Sequence, residues 1–168
     1  MRKLVILKSL IDFLWIITCI PLIPIMLFFS VYMFFNDNIL KIFNVLEEGV
    51  IITPWSLKVL VLLVMSLVLI SIYCFYLFRK TLRYFQQRKP FDSYVIKTYN
   101  KIGNLLLFSG IVGSILNFIF LLVFKGKFMI NIGLSPYLFV ICLGLFFMVL
   151  SETFKIAKTA KEENELTI

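Results

Sequence analysis

The sequence predicts an all-α membrane protein built as a bundle of four transmembrane helices. Long uncharged apolar runs, an excess of apolar residues and a lopsided distribution of basic residues support this fold class. The chain of 168 residues is 61% hydrophobic, whereas a soluble domain averages about 45–50%. Each run reaches the roughly 20 residues that a helix needs to cross a membrane. The runs cover residues 13–35, 59–78, 102–124 and 128–151.

Basic residues determine the orientation that the sequence predicts. Thirteen of the 17 Lys and Arg lie before the first run, between the second and third runs, or after the fourth. The positive-inside rule therefore places both termini and the middle loop in the cytoplasm. This topology accounts for the net charge of +8, so we expect no direct binding of nucleic acid. One domain, residues 1–168, is predicted, with spans at about 10–35, 56–80, 99–124 and 136–155, a cytoplasmic hairpin at 79–101 and a cytoplasmic tail at 156–168.

The composition also limits the chemistry of the chain. It contains no histidine, which excludes His-ligated haem, the usual zinc sites and His-based acid–base catalysis. Cys19, Cys74 and Cys142 all fall inside apolar runs, so we interpret them as packing residues. We predict no catalytic residue, no metal site, no cofactor and no enzymatic activity.

The first span contains Pro21 and Pro24, which predict a kink near residues 17–21 because proline removes a helical N–H. Asp12 lies one or two turns inside the cytoplasmic edge and is a candidate intramembrane polar residue. Its candidate partners are Lys8 on the same helix face and a basic residue of the middle loop. A structural role is favoured, since a charge near the interface costs little.

The outside loops carry weaker patterns. Apolar residues recur at helical spacing over residues 39–46, which predicts a short amphipathic helix on the membrane surface. Residues 50–53 and 128–132 predict a small β-like pairing. Spans two and four begin alike, at residues 53–55 and 135–137, with a cap, a proline and an interfacial aromatic. Two explanations remain open. A two-helix hairpin was duplicated, or this order is favoured at the start of any helix that crosses the membrane from outside to inside.

The middle segment predicts a helical hairpin that protrudes past the lipid. Pro90 marks its turn, and Asp92 or Ser93 is the expected cap of the next helix. Basic residues near a membrane attract anionic headgroups at roughly 1 kcal/mol each. The candidate partner- or lipid-binding residues of the hairpin are Arg79, Lys80, Arg83, Arg88 and Lys89.

Small residues on one face of the third span predict close helix packing. They let backbones approach where lipid offers no hydrophobic gain. Such a contact face is favoured over a substrate path, although Asn117 is also a candidate intramembrane polar residue. The predicted packing residues are Gly103, Gly110, Gly113, Ser114 and Asn117, with Gly144 of the fourth span as partner.

The C-terminal tail has a basic stripe followed by an acidic ending. A solvated tail is the usual interpretation of such a charge run, and a peptide that docks on the bundle or on a partner is the alternative. The candidate binding residues are Glu152, Glu162, Glu163, Asn164, Glu165 and Leu166.

Two stretches carry a family resemblance. Lys89-Pro90-Phe91-Asp92, followed by Tyr99-Asn100-Lys101-Ile102-Gly103, resembles a "G/K-P-F … L-R-x-I-G" pattern. Ser151-Glu152-Thr153-Phe154-Lys155, followed by residues 162–168, resembles an "A-E-I-F-K … L-Q-E-E-N-D-L-T-I" ending. The chain thus resembles bacterial four-helix membrane proteins catalogued as domain of unknown function 2975 (DUF2975). It departs from them at residues 155–158, where members often have basic residues and a glycine.

The resemblance implies a bacterial inner-membrane protein without an established activity. Such proteins are often encoded beside a small helix-turn-helix regulator, which implies a DNA-binding protein as the cytoplasmic partner. We therefore expect a non-enzymatic regulatory or scaffold protein that also binds anionic lipid headgroups. The alternative is a transporter or channel component acting as a homo-oligomer. It is less favoured because no charge lies near the middle of any span.

Overall fold

The computed structural model describes residues 2–35, 54–125 and 135–166, and every regular element within these ranges is helical. Four helical stretches are long and apolar enough to cross a membrane. This confirms the predicted all-α class with four membrane helices. The predicted amphipathic helix and the β-like pairing lie outside the described residues. The elements are α1 (Arg2–Leu14), a π-helical turn (Trp15–Cys19), α2 (Ile20–Phe35), α3 (Pro54–Gln86), α4 (Ser93–Lys125) and α5 (Pro136–Leu166).

The first span is one continuous stretch in which the π-helical turn joins α1 to α2. The backbone N–H of Ile20 donates to the carbonyl of Trp15, five residues back, and the Thr18 hydroxyl donates to Leu14 O at 2.6 Å. The ring of Pro21 would clash with the carbonyl four residues earlier in a regular α-helix, and the wider π turn relieves this clash. The irregularity that the structure shows is a π-helical turn at Trp15–Cys19, which overlaps the residues where the prolines predict a kink.

The helices pack in chain order, and the contact between α4 and α5 is the most extensive, followed by that between α3 and α4. A Cβ added to Gly144 would lie 2.8 Å from Leu107 N and 2.9 Å from Gly103 O. Only glycine fits here, because the two backbones themselves approach. The first span contacts α3 lightly, and its most apolar 18-residue window contains no buried residue.

The connection between α3 and α4 is tight and well hydrogen-bonded. Arg88 has a φ of 58°, its N–H donates to Phe85 O at 3.2 Å, and the next N–H, of Lys89, donates to Tyr84 O at 3.0 Å. This pair of bonds is a Schellman motif that ends α3. Asp92 Oδ1 then accepts the Tyr94 N–H at 2.7 Å and caps α4, which confirms one of the two predicted caps.

Candidate functional site at the basic end of the bundle

Most of the charged residues that the structure describes lie at one end of the bundle, which we call the basic end. It consists of residues 2–12 of α1, residues 79–101 around the α3–α4 connection, and residues 152–166 of α5. Beneath it lies the largest buried cluster of the described residues. That cluster comprises Cys74, Leu77, Val95, Tyr99, Ile102 and Leu106.

Aromatic rings fasten α5 to the α3–α4 hairpin at this end. Tyr99 is 4% exposed, and its ring centroid lies 6.3 Å from that of Phe85, 5.6 Å from Phe147 and 5.7 Å from Phe154. Phe91, in the α3–α4 connection, meets Phe154 edge to face at 5.8 Å. Such pairs add about 0.5–1.5 kcal/mol beyond the burial of their area. The hairpin and α5 are therefore held as one unit.

Hydrogen bonds extend this attachment beyond the apolar part of α5. Ser151 Oγ donates to Ile96 O at 2.7 Å, and Lys158 Nζ donates to Ser93 Oγ at 2.6 Å. The helix continues to Leu166, so the structure places most of the predicted tail in α5 rather than in an unstructured segment. Glu152 and residues 162–165 are exposed along this extension.

One face of the extension is a shallow exposed stripe. Glu152, Ile156, Thr159 and Glu163 follow one another at spacings of four, three and four, and therefore share a face of the helix. Together with Lys155 and Ala160 they line a surface depression. Ile156 is 70% exposed in the middle of this stripe. We call these six residues the α5 stripe.

A groove of about 230 Å³ separates the α3–α4 connection from the opposite side of the extension. Lys158 and Lys161 lie 3.6 Å from Glu162 and Glu165, respectively, one turn further along the helix. These acids are thus close to lysines of their own helix. Arg88 and Lys89, two of the predicted binding residues, line the same groove from the connection.

A second pocket, of about 210 Å³, lies between α1 and α3. Asp12 accepts a hydrogen bond from Arg79 Nε, so the partner that the structure gives to Asp12 is the basic residue of the middle segment. The Arg79 guanidinium also lies 5.9 Å from the Trp15 ring centroid. The pocket, which we call the α1–α3 pocket, is lined by Lys8, Asp12, Tyr76, Arg79, Lys80 and Arg83.

The predicted packing residues of α4 are divided by the structure. A Cβ on Gly110 would lie 2.6 Å from Ile141 Cγ1, and one on Gly113 would lie 2.8 Å from the Tyr137 ring, so both glycines face α5 like Gly103. Ser114 is exposed. The close contact thus extends along the glycines, while the serine lies beside it.

Asn117 lines an apolar groove of about 460 Å³ between α3, α4 and α5, within the apolar part of the bundle. Two serines on its wall donate to carbonyls of their own helices: Ser71 Oγ to Leu67 O at 3.1 Å and Ser109 Oγ to Leu106 O at 3.0 Å. Asn117 and Tyr137 supply the remaining polar side chains of the wall.

Sequence reasoning makes Lys8 a candidate partner of Asp12, but it does not predict the pocket that Lys8 lines with the cations of α3. It gives no role to Lys58, which lies in α3 and is 6% exposed. The Nζ of Lys58 lies 5.6 Å from the Trp55 ring and 6.0 Å from the Phe34 ring. The sequence offers one indication of this contact, because Lys58 follows Trp55 by three residues and lies one helical turn beyond it.

These features define the chain as an α-helical multi-pass membrane protein with a charged, aromatic-supported end. The sequence model of a family described as "Protein of unknown function (DUF2975)" matches residues 14–168. The chain therefore belongs to this family, which confirms the resemblance drawn from the middle segment and the C-terminal ending. No curated protein and no solved structure shows significant similarity to it.

Proposed function

We propose that this protein is a non-enzymatic regulatory or scaffold protein of the bacterial cytoplasmic membrane that docks a small cytoplasmic protein at its basic end. In this proposal both termini and the α3–α4 connection face the cytoplasm. The concentration of basic residues in the N-terminal, middle and C-terminal segments supports that orientation.

The continuity of α5 is the single observation that carries the proposal. Residues 152–166 extend the membrane-crossing helix without a break, and the bonds from Ser151 and Lys158 hold this extension against the α3–α4 hairpin. The α5 stripe therefore projects in a fixed orientation. A partner that binds a preformed helix avoids the entropic cost of ordering it.

The chemistry of the α5 stripe favours a partner with a basic, partly apolar surface. Ile156 offers an apolar contact, and Glu152 and Glu163 flank it with two negative charges against the single positive charge of Lys155. A helix-turn-helix regulator carries basic residues to contact phosphates, so its DNA-binding surface is complementary to these acids. Docking there would hold the regulator at the membrane and away from DNA.

Site-specific photocrosslinking in cells tests this proposal. A photoreactive residue replaces Ile156 in the full-length protein, and a matched control replaces Phe146, which is exposed on the same helix within its apolar part. We expect one cytoplasmic protein to crosslink at position 156 and not at position 146. The charge reversal Glu152→Lys with Glu163→Lys should abolish the crosslink. An undiminished crosslink in that variant would remove the stripe from the proposal.

The C-terminal end of the extension is tested separately. Pull-down of the full chain is compared with pull-down of a variant lacking residues 162–168. Loss of the crosslinked partner is expected, whereas an unchanged partner set would exclude this end from the docking surface.

The apolar groove supports a second candidate function, a small-solute or ion transporter component acting as an oligomer. The groove reaches about 460 Å³, and Asn117 and Tyr137 are among the polar residues that line it. Substrate-dependent flux in liposomes that is abolished by Asn117→Leu would favour this function. If no flux of ions or small polar solutes is measured in the liposomes, the docking function is favoured.

A further inference from the structure

We propose that the α1–α3 pocket binds the phosphate group of an anionic phospholipid headgroup, which joins the first span to the rest of the bundle. The pocket holds four cations, Lys8, Arg79, Lys80 and Arg83, against one carboxylate, a net charge of +3. This inference concerns a lipid site and is independent of the docking of a protein partner.

The arrangement of Asp12 and Arg79 prepares the pocket for an anion. Asp12 contacts the Nε of Arg79, and the guanidinium lies 5.9 Å from the Trp15 ring, so two groups orient it. The two terminal amino groups of a guanidinium carry further donors with a geometry that suits phosphate. Asp12 offsets only one of the four positive charges, and a phosphate would offset more.

The depth of the pocket favours a lipid as the source of the phosphate. Trp and Tyr concentrate at the level of the headgroups. Trp15 stacks against Phe75 at 6.1 Å and lies tilted against Tyr76 at 5.5 Å. Lys80 Nζ lies 5.1 Å from the centroid of the Tyr94 ring. The cations of the pocket thus occupy the same level as an aromatic belt, where phospholipid phosphates also lie.

The weak packing of the first span gives such a lipid a structural consequence. α1 and α2 contact α3 lightly, compared with the contact between α4 and α5. Lys8 comes from α1 and Arg83 from α3. A phosphate between them would bridge the two helices, so the attachment of the first span would depend on anionic lipid.

Lipid binding to the purified full-length protein tests the proposal. Phosphatidylglycerol and phosphatidylcholine are titrated separately in a non-ionic detergent at about 0.15 M salt, where diffuse attraction between exposed charges is largely screened. Bound lipid is counted by native mass spectrometry. We expect phosphatidylglycerol to bind and phosphatidylcholine to bind at least tenfold more weakly. Equal binding of the two lipids would overturn the proposal.

Two charge-matched double variants locate the site. Lys8→Gln with Arg83→Gln should weaken phosphatidylglycerol binding about 25-fold, since each cation at an anionic surface contributes roughly a factor of five. The control, Lys97→Gln with Lys101→Gln, removes two exposed cations outside the pocket and should change binding less than twofold. Equal losses in both would show diffuse attraction and overturn the pocket.

Two further measurements keep the result decisive. If the double variant does not fold, the single variants Lys8→Gln and Arg83→Gln should each lose about fivefold in affinity for phosphatidylglycerol. An unchanged affinity in both would contradict the proposal.

Inorganic phosphate and glycerol 3-phosphate are added as competitors of the lipid. We expect neither to displace the lipid at millimolar concentration, and displacement would assign the pocket to a soluble phosphate instead.

Discussion

A single absent side chain sets the closest approach between two helices of this bundle. A Cβ at Gly144 would lie 2.8 Å from the backbone nitrogen of Leu107, which has no freedom to move away as a flexible side chain would. We expect Gly144→Ala to force α5 from α4 and to destabilise the fold by about 1–3 kcal/mol. Unfolding of the purified protein by denaturant in detergent micelles measures this loss. Ser114→Ala is the control, because Ser114 is exposed, and a similar loss there would contradict the interpretation.

The ion pair between Asp12 and Arg79 is the second residue-scale feature that invites a measurement. Both side chains are about one-third exposed, at 31% and 32%, so we expect a coupling free energy of about 1 kcal/mol. A double-mutant cycle with Asp12→Asn and Arg79→Gln, in lipid-free detergent, isolates it. The same cycle on Lys161 and Glu165, which are 65% and 66% exposed, serves as the control and should give about zero. Strictly additive effects at Asp12 and Arg79 would exclude a stabilising pair.

Residue spacing indicated what Asp12 needed but not where its partner would come from. The spacing of four residues made Lys8 one candidate partner, and a basic residue of the middle segment was the other. The structure selects Arg79 because α1 and α3 approach at that level. The relative placement of two helices depends on packing over their whole length, so no local spacing specifies it.

At the scale of elements, the end of α3 depends on one left-handed residue. Arg88 has a φ of 58°, which costs a non-glycine residue roughly 1–2 kcal/mol. Arg88→Gly and Arg88→Ala both remove the side chain, and only the glycine also removes this strain. We therefore expect the free energy of unfolding of the glycine variant to exceed that of the alanine variant by about 1 kcal/mol. Thermal unfolding of the two variants measures this difference as a higher unfolding temperature for the glycine variant. Equal stability of the two would show that the Schellman turn is not under strain.

The elements differ in how much of them the sequence predicted. The apolar runs predicted four membrane helices, and Asp92 was one of two expected caps, because both depend on local chemistry. The extension of α5 was harder to predict, since its apolar periodicity fades after the fourth run. Its helix is supported instead by the bonds to Ile96 and Ser93, which are more than 50 residues away in sequence. At the basic end, the sequence identified the cations as candidate binding residues. It could not predict that they would divide between the α1–α3 pocket and the groove beside the α3–α4 connection.

At the scale of the whole molecule, the helices form a tight part and a loose part. The buried cluster around Tyr99 joins α3, α4 and α5, and the glycine contact joins α4 to α5, while the first span adds few contacts. The proposed protein-docking stripe lies on the tight part, and the proposed lipid pocket joins the loose part to it. In the two proposals, the partner protein binds a surface of fixed orientation on α5, whereas the lipid binds between α1 and α3, where the helices pack weakly.

The orientation of the whole bundle is the prediction on which the docking proposal depends, because that proposal requires the basic end to face the cytoplasm. Thirteen basic residues on one side and four on the other should direct insertion with residues 2–12 and 79–101 inside. Reporter domains that are active only in the cytoplasm are fused after residue 48 and after residue 89. We expect activity from the second fusion and not from the first. Reversing the charges of residues 36–53 alone, away from residues 79–101, should leave this pattern unchanged. Cytoplasmic activity after residue 48 in the unaltered chain would overturn the orientation.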